Sequence, residues 1–377
     1  MSFFFKFIKP NKNKNKRLGQ IITPNGIIET PAFIFCATKS SIKSLSNLEI
    51  KKNNTQVILV NTYHLMNEPE TKIIKNYFKL RQFINWKGPM FSDSGGFQVF
   101  SLSNKNYFSE IKYNCKKELI SINEEGVIFK YYNNNKKHLI TPEKSIKIQK
   151  SLGADLIVSF DECTPFNVNK KYVEKSMKIS HRWSLRSYNE IKKNYKRSQA
   201  LYGIIQGGIY NDLRIESCDF VNKKYFFGHA IGGSLGVNQD QMLNIIRDTI
   251  KKLDKKRPIH LLGVGKINDI IKAIDMGIDT FDCVHPTRIA RHGEALIINS
   301  KEQSINLNNC IYYNDNNPIE KECDCSTCKK FSRSYLRNLL KSFKSIAIFL
   351  ITIHNVRCMN RLMENIRKNL KQQINII

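Results

Sequence analysis

The sequence predicts an α/β protein folded as a (β/α)8 TIM barrel, with a structural zinc site near its C-terminal end. Two observations favour the barrel. From about Gln56 onward, short β-branched runs alternate with longer amphipathic runs, which is typical of a parallel sheet covered by helices. Polar and glycine-rich groups follow most of the short runs, and in a barrel the carboxyl ends of all the strands meet on one face. A doubly wound open sheet would bring fewer of these groups to one crevice.

Short apolar runs predict the strands, and longer amphipathic runs predict the helices. Strands are predicted at residues 57–60, 155–160, 201–205, 226–231, 259–262 and 279–284. Helices are predicted at residues 71–78, 239–253 and 267–276. A further helix begins after Thr141, an N-cap residue that precedes a proline at the first helical position, and it ends at Gly153.

The chain of 377 residues divides into two parts. We expect a basic N-terminal tail at residues 1–18 and a catalytic barrel at residues 19–377, which includes the zinc-binding subdomain at about 303–360. An α/β barrel needs about 250 residues, so this length leaves room for an appendage. The N-terminus does not read as a secretory signal, and no apolar run approaches the roughly 20 residues that cross a bilayer. We therefore expect a cytoplasmic protein without membrane contacts.

The charge of the chain bears on its partners. Lys and Arg number 61 against 32 Asp and Glu, and the formal net charge of +29 would attract a polyanion such as nucleic acid. The Lys/Asn skew of residues 10–17 and 131–137 would also arise from an AT-rich gene without selection for binding. The charge is therefore compatible with RNA binding but does not establish it.

Three of the ten cysteines cluster near the C-terminal end. Cys323, Cys325 and Cys328 are followed by His354, and three thiolates with one imidazole make a closed tetrahedral zinc site. A catalytic zinc would keep an open position, so this pattern favours structural zinc. The alternatives are a disulfide, which a reducing cytosol disfavours, and a histidine that only packs in the core.

Three aspartates are each expected to end a strand. Asp93, Asp161 and Asp282 stand where a carboxylate is not used by the sheet and is free to act on a substrate. Two such groups suit cleavage at a sugar anomeric carbon, where one attacks while the other handles the proton of the leaving group. Each aspartate could instead cap a helix. The residues alone do not decide which one attacks.

Glycine pairs at residues 95–96, 207–208 and 232–233 would let the backbone approach a flat ligand closely, although such pairs are also common in turns. The Gly-Val-Gly-Lys segment at residues 263–266 matches neither a dinucleotide-binding fingerprint nor a P-loop. No nucleotide cofactor is therefore expected.

Two arginines and one aromatic residue are candidates for RNA contacts. Arg288 and Arg291 follow Asp282 closely and could hold phosphates or read bases in single-stranded RNA, or lie in a solvated loop. Phe97 could stack on a base or fill the mouth of the barrel.

Taken in order, these motifs resemble those of the tRNA-guanine transglycosylases, from about residue 19 to residue 370. The resemblance rests on NTYHLM at 61–66, DSGGFQ at 93–98, FDECTP at 160–165, GIIQGG at 203–208, GVGK at 263–266, FDCVHPTR at 281–288 and the Cys3His ending. It implies a (β/α)8 barrel with an inserted zinc-binding subdomain, one structural Zn²⁺ per subunit, and a homodimer.

The resemblance also implies the catalytic roles. Asp282 would be the nucleophile that attacks C1′ of the target guanosine and forms a covalent RNA intermediate. Asp93 would be the general acid/base that protonates the departing guanine and deprotonates the incoming base. Two displacements retain the anomeric configuration, as in retaining glycosidases.

The same resemblance implies how the base would be held. Asp161 would accept hydrogen bonds from the N1 and amino groups of the base, while Gln206 and the Gly233 N–H would donate to its carbonyl oxygen. Adenine would leave Asp161 without partners. Cys163 follows the bacterial pattern, which implies 7-aminomethyl-7-deazaguanine as the incoming base.

Further residues complete the implied binding sites. Phe97 and Leu262 would sandwich the ring, Gly232 would line the pocket, and the Ser234 carbonyl would hold the ammonium group. The anticodon loop would contact Arg288 and Arg291, together with two neighbouring residues, Thr287 and Lys266.

The implied activity is the exchange of guanine at the wobble position of tRNAs for Asp, Asn, His and Tyr, which have GUN anticodons. Three departures from the family pattern stand out: Phe-Cys-Ala-Thr at residues 35–38, Asn238 in place of Glu, and Ile267 in place of Pro. None of them removes a proposed catalytic group.

Two other functions are weighed against this one. The first is a non-catalytic RNA-binding accessory subunit of the same fold, which would have no use for both Asp93 and Asp282. The second is a zinc-dependent nucleoside hydrolase or deaminase. A deaminase needs a His/Cys-x-Glu motif near Pro-Cys-x-x-Cys, and the sequence has none.

Overall fold

The fold is described from a computed structural model of the chain. The structure describes residues 3–8, 15–66, 80–96, 118–130, 137–166, 168–193, 199–233, 235–298, 300 and 302–375. The helix predicted at residues 71–78 lies outside these ranges, as do Phe97 and Ser234.

The described residues form the following strands, numbered in chain order: β1 (Phe4–Ile8), β2 (Leu18–Thr23), β3 (Gly26–Thr30), β4 (Ala32–Ala37), β5 (Ile58–Val60), β6 (Met90–Ser92), β7 (Glu118–Ile122), β8 (Val127–Lys130), β9 (Lys137–Ile140), β10 (Leu156–Val158), β11 (Ala200–Ile205), β12 (Gly228–Ile231), β13 (Ile259–Leu261), β14 (Thr280–Cys283), β15 (Glu294–Leu296) and β16 (Ser304–Asn306).

Eight of these strands close into a barrel in the order β10-β11-β12-β13-β14-β4-β5-β6, and β6 pairs with β10 to complete the circle. Every neighbouring pair in the barrel is parallel. Alternate residues along each strand face the interior or the surrounding helices. The predicted barrel is therefore confirmed, and the open sheet is excluded.

The helices follow the same chain order: α1 (Asn47–Lys52), α2 (Thr62–Leu65), α3 (Leu80–Phe83), α4 (Pro142–Leu152), α5 (Lys170–Lys192), α6 (Asn211–Asn222), α7 (Gln239–Lys252), α8 (Ile267–Met276), α9 (His285–Ala290), α10 (Ser326–Lys330), α11 (Arg333–Ser342) and α12 (Lys344–Asn375). A short 3-10 helix spans Cys310–Tyr312. None of the helices in the described ranges combines the length and the apolar composition needed to cross a membrane.

Helix α4 shows how local chemistry sets these bounds. The Thr141 side chain accepts a hydrogen bond from the Lys144 N–H at 3.2 Å, and Pro142 opens the helix. Gly153 ends it with φ 72°, a left-handed conformation that favours glycine. Both predicted ends of this helix are confirmed.

Part of the segment predicted as a tail is folded. Residues 4–8 form β1, which pairs antiparallel with β2, and the side chains of β1 alternate between exposed and half-buried positions. Arg17 is buried, and its Nε donates to Asp279 Oδ1 at 2.7 Å. This N-terminal sheet, β1-β2-β3, thus joins the barrel at the start of β14.

The C-terminal part of the chain is attached to the barrel through α12. Asn360 Nδ2 donates to the Asn53 carbonyl at 2.7 Å, and Arg367 Nη1 donates to the Pro31 carbonyl at 2.7 Å. The strands β15 and β16 form an antiparallel pair, and α12 packs against β15, α9 and β4. The helix therefore connects the cysteine cluster to the wall of the barrel.

Candidate active site

The proposed catalytic and base-binding residues stand at the carboxyl ends of barrel strands. Asp93 directly follows β6, Gln206 follows β11, Gly232 follows β12 and Leu262 follows β13. Asp282 is the third residue of β14. Because the eight strands are parallel and closed, these ends share one face of the barrel.

Asp93 is held by the residues that follow β5. Asn61 Nδ2 donates to Asp93 Oδ2, and the Thr62 N–H donates to Oδ1 at 2.8 Å. Thr62 Oγ1 also donates to the Asp93 carbonyl at 2.6 Å. Both carboxylate oxygens thus accept hydrogen bonds, which fix the orientation of the carboxylate. The sequence alone indicated no role for Asn61 and Thr62, although their position directly after a strand was a usable signal.

Asp282 is held from the neighbouring strand. Its Oδ1 lies 3.2 Å from His260 Nε2 and accepts the Gly263 N–H at 3.2 Å. Gly263 has φ 77°, which favours glycine and turns its N–H toward the carboxylate. The side chain of Asp282 is 13% exposed, so it reaches the surface of the site.

The thiol of Cys36 lies beside the Asp282 carboxylate. Cys36, on β4, lies 3.8 Å from Asp282 Oδ2 through its Sγ. Burial raises its pKa well above the usual range, and the charges of Asp282, Cys283 and Asp93 raise it further. Two barrel strands, β4 and β5, separate β14 from β6, and both carboxylates stand at the carboxyl ends of their strands, on the same face of the barrel.

Asp161 is buried at the base of the site. Ser94 Oγ donates to its Oδ1 at 3.0 Å, and Gln206 Nε2 donates to its Oδ2 at 2.7 Å. Burial raises the pKa of Asp161 to about 6, against the lowering effect of these two donors. A carboxylate with this environment can accept hydrogen bonds from a ligand once it is ionised.

A buried arginine, to which the sequence pattern gave no role, supports the glycine turns of the site. Arg214, on α6, donates through Nε to the Gly208 carbonyl at 2.8 Å. Gly233 has φ 75°, and a Cβ there would collide with the Gln206 side chain and lie 3.5 Å from Arg214 Nη2. Gly233 therefore needs to be glycine both for its conformation and for the close approach of Gln206.

Leu262 packs close to Gly232 at this face. A Cβ added to Gly232 would lie 3.4 Å from Leu262 Cδ1. Leu262 is half-buried. Phe97 and Ser234, which are expected in the same pocket, lie outside the described residues.

Basic side chains gather beside β14. Arg288 lies in α9, and Arg291 directly follows the end of this helix. Arg291 Nη1 donates to the Thr287 carbonyl at 3.2 Å. Burial lowers the pKa of Lys43, and Arg291, Lys39 and Arg288 lower it further. These four cations therefore lie close together, which suits contact with phosphate groups. No motif in the sequence pointed to Lys39 and Lys43.

Lys266, the other predicted RNA contact, precedes α8 as its N-cap residue and is exposed.

The cysteine cluster forms a candidate metal centre. Cys323, Cys325, Cys328 and His354 are all buried, and their potential ligand atoms lie within 4.8 Å of one another. His354 Nε2 lies 2.7 Å from the Leu296 carbonyl oxygen, so this nitrogen carries the proton. The other ring nitrogen, Nδ1, then faces the thiols, with Cys328 Sγ at 3.2 Å. The group could hold a metal ion.

The fold and the site define a class: a (β/α)8-barrel protein with carboxylates at its catalytic face and a buried Cys3His centre in a C-terminal segment. The model of the family described as "Queuine tRNA-ribosyltransferase" matches residues 12–374. The chain belongs to this family.

Curated relatives agree over almost the whole chain. A queuine tRNA-ribosyltransferase of Protochlamydia amoebophila is 40% identical and covers 99% of this chain and 97% of its own length. One from Thermoanaerobacter sp. is 42% identical, covering 98% and 93%. One from Staphylococcus haemolyticus is 41% identical, covering 98% and 92%.

Proposed function

We propose that this protein is a tRNA-guanine transglycosylase. It exchanges guanine at the wobble position of tRNAs with GUN anticodons, those for Asp, Asn, His and Tyr, for 7-aminomethyl-7-deazaguanine. The observation that carries the proposal is the position of Asp93 and Asp282, which stand at the carboxyl ends of β6 and β14 on one face of the closed barrel. Membership of the queuine tRNA-ribosyltransferase family supports it.

The reaction proceeds by two displacements. Asp282 attacks C1′ of the guanosine, the C1′–N9 bond breaks, and Asp93 protonates the departing guanine. Asp93 then removes a proton from the incoming base, which attacks C1′ and releases the Asp282 carboxylate. Each attack inverts the anomeric carbon, so the configuration is retained overall. An accessory subunit that only binds RNA has no use for this pair, and the family relatives favour the enzyme.

Asp161 and Gln206 select the base. The ionised Asp161 accepts hydrogen bonds from N1–H and the amino group of guanine. Adenine lacks these donors and would leave the Asp161 carboxylate without partners. Gln206 uses one hydrogen of its amide for Asp161 and offers the second to the carbonyl oxygen of the base, with the Gly233 N–H as the other donor. Leu262 and Phe97 pack on the two faces of the ring, and Gly232 lines the pocket.

The remaining groups bind the RNA and the aminomethyl group of the incoming base. Arg288, Arg291, Thr287 and Lys266 contact the anticodon loop, and the flipped guanosine enters the pocket between them. The Ser234 carbonyl accepts a hydrogen bond from the ammonium group of the incoming base.

The metal in the Cys3His centre is zinc, one ion per subunit. Three thiolates and an imidazole match the tetrahedral coordination of structural zinc sites, which leave no position for a substrate. The enzyme works as a homodimer in the cytoplasm. The domain division is a barrel at residues 19–377 with the metal-binding subdomain at about 303–360.

The test is incorporation of labelled guanine into tRNA. We expect label in a tRNA with guanine at the wobble position and none in a matched tRNA with adenine there. Addition of 7-aminomethyl-7-deazaguanine should then displace the label. A folded enzyme that exchanges label into neither tRNA would contradict the proposal.

The pKa of Asp161 predicts a pH dependence. Protonation below about pH 6 turns the carboxylate from an acceptor into a donor, so kcat/KM for guanine should fall about tenfold per pH unit below that value. Ser94→Ala removes a hydrogen bond to the charged form, so the inflection should move to higher pH.

The control for this prediction is Ser151→Ala, because Ser151 is exposed on α4 and donates only to a carbonyl of its own helix. Its pH profile should match that of the unmodified enzyme. Coincident profiles for Ser94→Ala and Ser151→Ala would argue that another group titrates.

A further inference from the structure

A buried histidine contacts the proposed nucleophile. His260 lies on β13 and is fully buried, with ring centroids 4.7 Å from Phe91 and 6.4 Å from Tyr202. Its Nε2 lies 3.2 Å from Asp282 Oδ1, and its Nδ1 lies 2.9 Å from Thr280 Oγ1. The pairing of β13 with β14 places His260 opposite Thr280, so both contacts follow from the strand register.

The hydrogen-bond network assigns the proton on this ring. Asp282 is a carboxylate and can only accept, so the Nε2 atom that faces it must carry hydrogen. Thr280 Oγ1 has one hydrogen and can donate it to Nδ1. Thr280 therefore holds His260 in the tautomer that donates to Asp282.

The two oxygens of Asp282 differ as a result. Oδ1 accepts two N–H groups, from His260 and from the Gly263 backbone. The hydrogen-bond contact of Oδ2 among the described residues is the Cys36 thiol at 3.8 Å, which is a weak donor. Oδ2 is therefore the oxygen with free lone pairs.

We propose that His260 is a positioning residue for the glycosyl transfer, and that it fixes Asp282 so that Oδ2 attacks the sugar. This inference rests on the proposed function. Oδ2 forms the bond to C1′ as the C1′–N9 bond breaks, and the electron pair of that bond leaves with guanine, which Asp93 protonates. Oδ1 becomes the carbonyl oxygen of the glycosyl ester and stays bonded to His260 and Gly263.

His260 also affects the balance between the free and the covalent enzyme. A hydrogen bond to a carboxylate is stronger than one to an ester carbonyl. The His260 N–H therefore stabilises the free carboxylate more than the ester, and this favours release of the RNA in the second displacement. Loss of the donor removes this stabilisation and also frees the carboxylate to rotate, so the second displacement should slow, kcat should fall, and the fraction of covalent enzyme at equilibrium should rise.

The experiment compares His260→Leu with His229→Leu. His229 is also fully buried, but it lies on β12, and no hydrogen bond joins its ring to a proposed catalytic group. We expect kcat for guanine exchange to fall on the order of 10- to 100-fold in His260→Leu, with little change in KM for tRNA. His229→Leu should exchange guanine at the unmodified rate when it is folded.

Two further measurements separate positioning from a general loosening of the barrel. With tRNA present, denaturing gels should show more covalent adduct at equilibrium in His260→Leu than in the unmodified enzyme. His260→Gln, which keeps an N–H donor, should recover part of kcat, and Thr280→Val should lose a smaller part.

The outcomes distinguish this inference from the proposed function. If the unmodified enzyme does not exchange guanine, the proposed function fails. If it does, and folded His260→Leu matches it in both kcat and adduct fraction, only the inference is overturned. If His260→Leu does not fold, the other two variants decide. Normal kinetics in both His260→Gln and Thr280→Val would overturn the inference. A lower kcat with more adduct in Thr280→Val would support the inference.

Discussion

Asp282→Asn should reduce guanine exchange by roughly 10⁴-fold or more, as expected for removal of a covalent nucleophile. The amide oxygen of asparagine is a poor nucleophile and cannot leave as a stabilised anion in the second displacement. The substitution keeps the shape of the side chain and an oxygen for the His260 and Gly263 donors, so the fold and tRNA binding should persist. The measurement is the initial rate of labelled guanine incorporation, with tRNA affinity measured separately.

The matched control is Asp275→Asn. Asp275 lies on α8, is about half-exposed, and pairs with Lys16 at 2.8 Å on the surface. Such pairs contribute at most about 1 kcal/mol, so exchange should be unaffected. A folded Asp282→Asn enzyme that binds tRNA and exchanges guanine as fast as Asp275→Asn would remove Asp282 from the nucleophilic role.

The second large effect concerns the metal centre. Cys328→Ser should release the metal and destabilise the C-terminal segment by on the order of 10 kcal/mol, because structural zinc contributes its binding energy to folding. Thr327 Oγ1, beside this ligand, donates to the Leu350 carbonyl at 2.7 Å, so loss of α10 would also free part of α12. Elemental analysis and thermal unfolding are the measurements.

Cys310→Ser is the control for this substitution. Cys310 belongs to the same C-terminal part of the chain but is exposed and lies outside the ligand group. It should retain one metal ion per chain and the unmodified unfolding temperature. Full metal content and stability in Cys328→Ser would contradict the proposed centre.

Much of the barrel could be predicted because local patterns determine it. The strand predicted at residues 259–262 is observed at Ile259–Leu261, and the helix predicted at 267–276 is observed at Ile267–Met276. Apolar runs and helix caps act over a few residues, so a single sequence displays them. The strand at Phe4–Ile8 was not predicted, because it depends on pairing with Leu18–Thr23.

The candidate site was predictable only in part. Strand ends drew attention to Asp93, Asp161 and Asp282, but the choice of nucleophile came from the resemblance alone. His260 was missed because its partner Asp282 is 22 residues away and becomes a neighbour only through the pairing of β13 with β14. Arg214 was missed for a similar reason, since a buried arginine on a helix carries no local signal of the turns it supports.

The most direct test of the account is a covalent link between protein and RNA. Enzyme mixed with wobble-guanine tRNA and a slowly reacting base analogue is separated on a denaturing gel. We expect a band that contains both protein and tRNA, that disappears when guanine is added, and that is absent for Asp282→Asn. An enzyme that exchanges guanine rapidly but yields no such band, even with the slow analogue, would contradict a double displacement through Asp282.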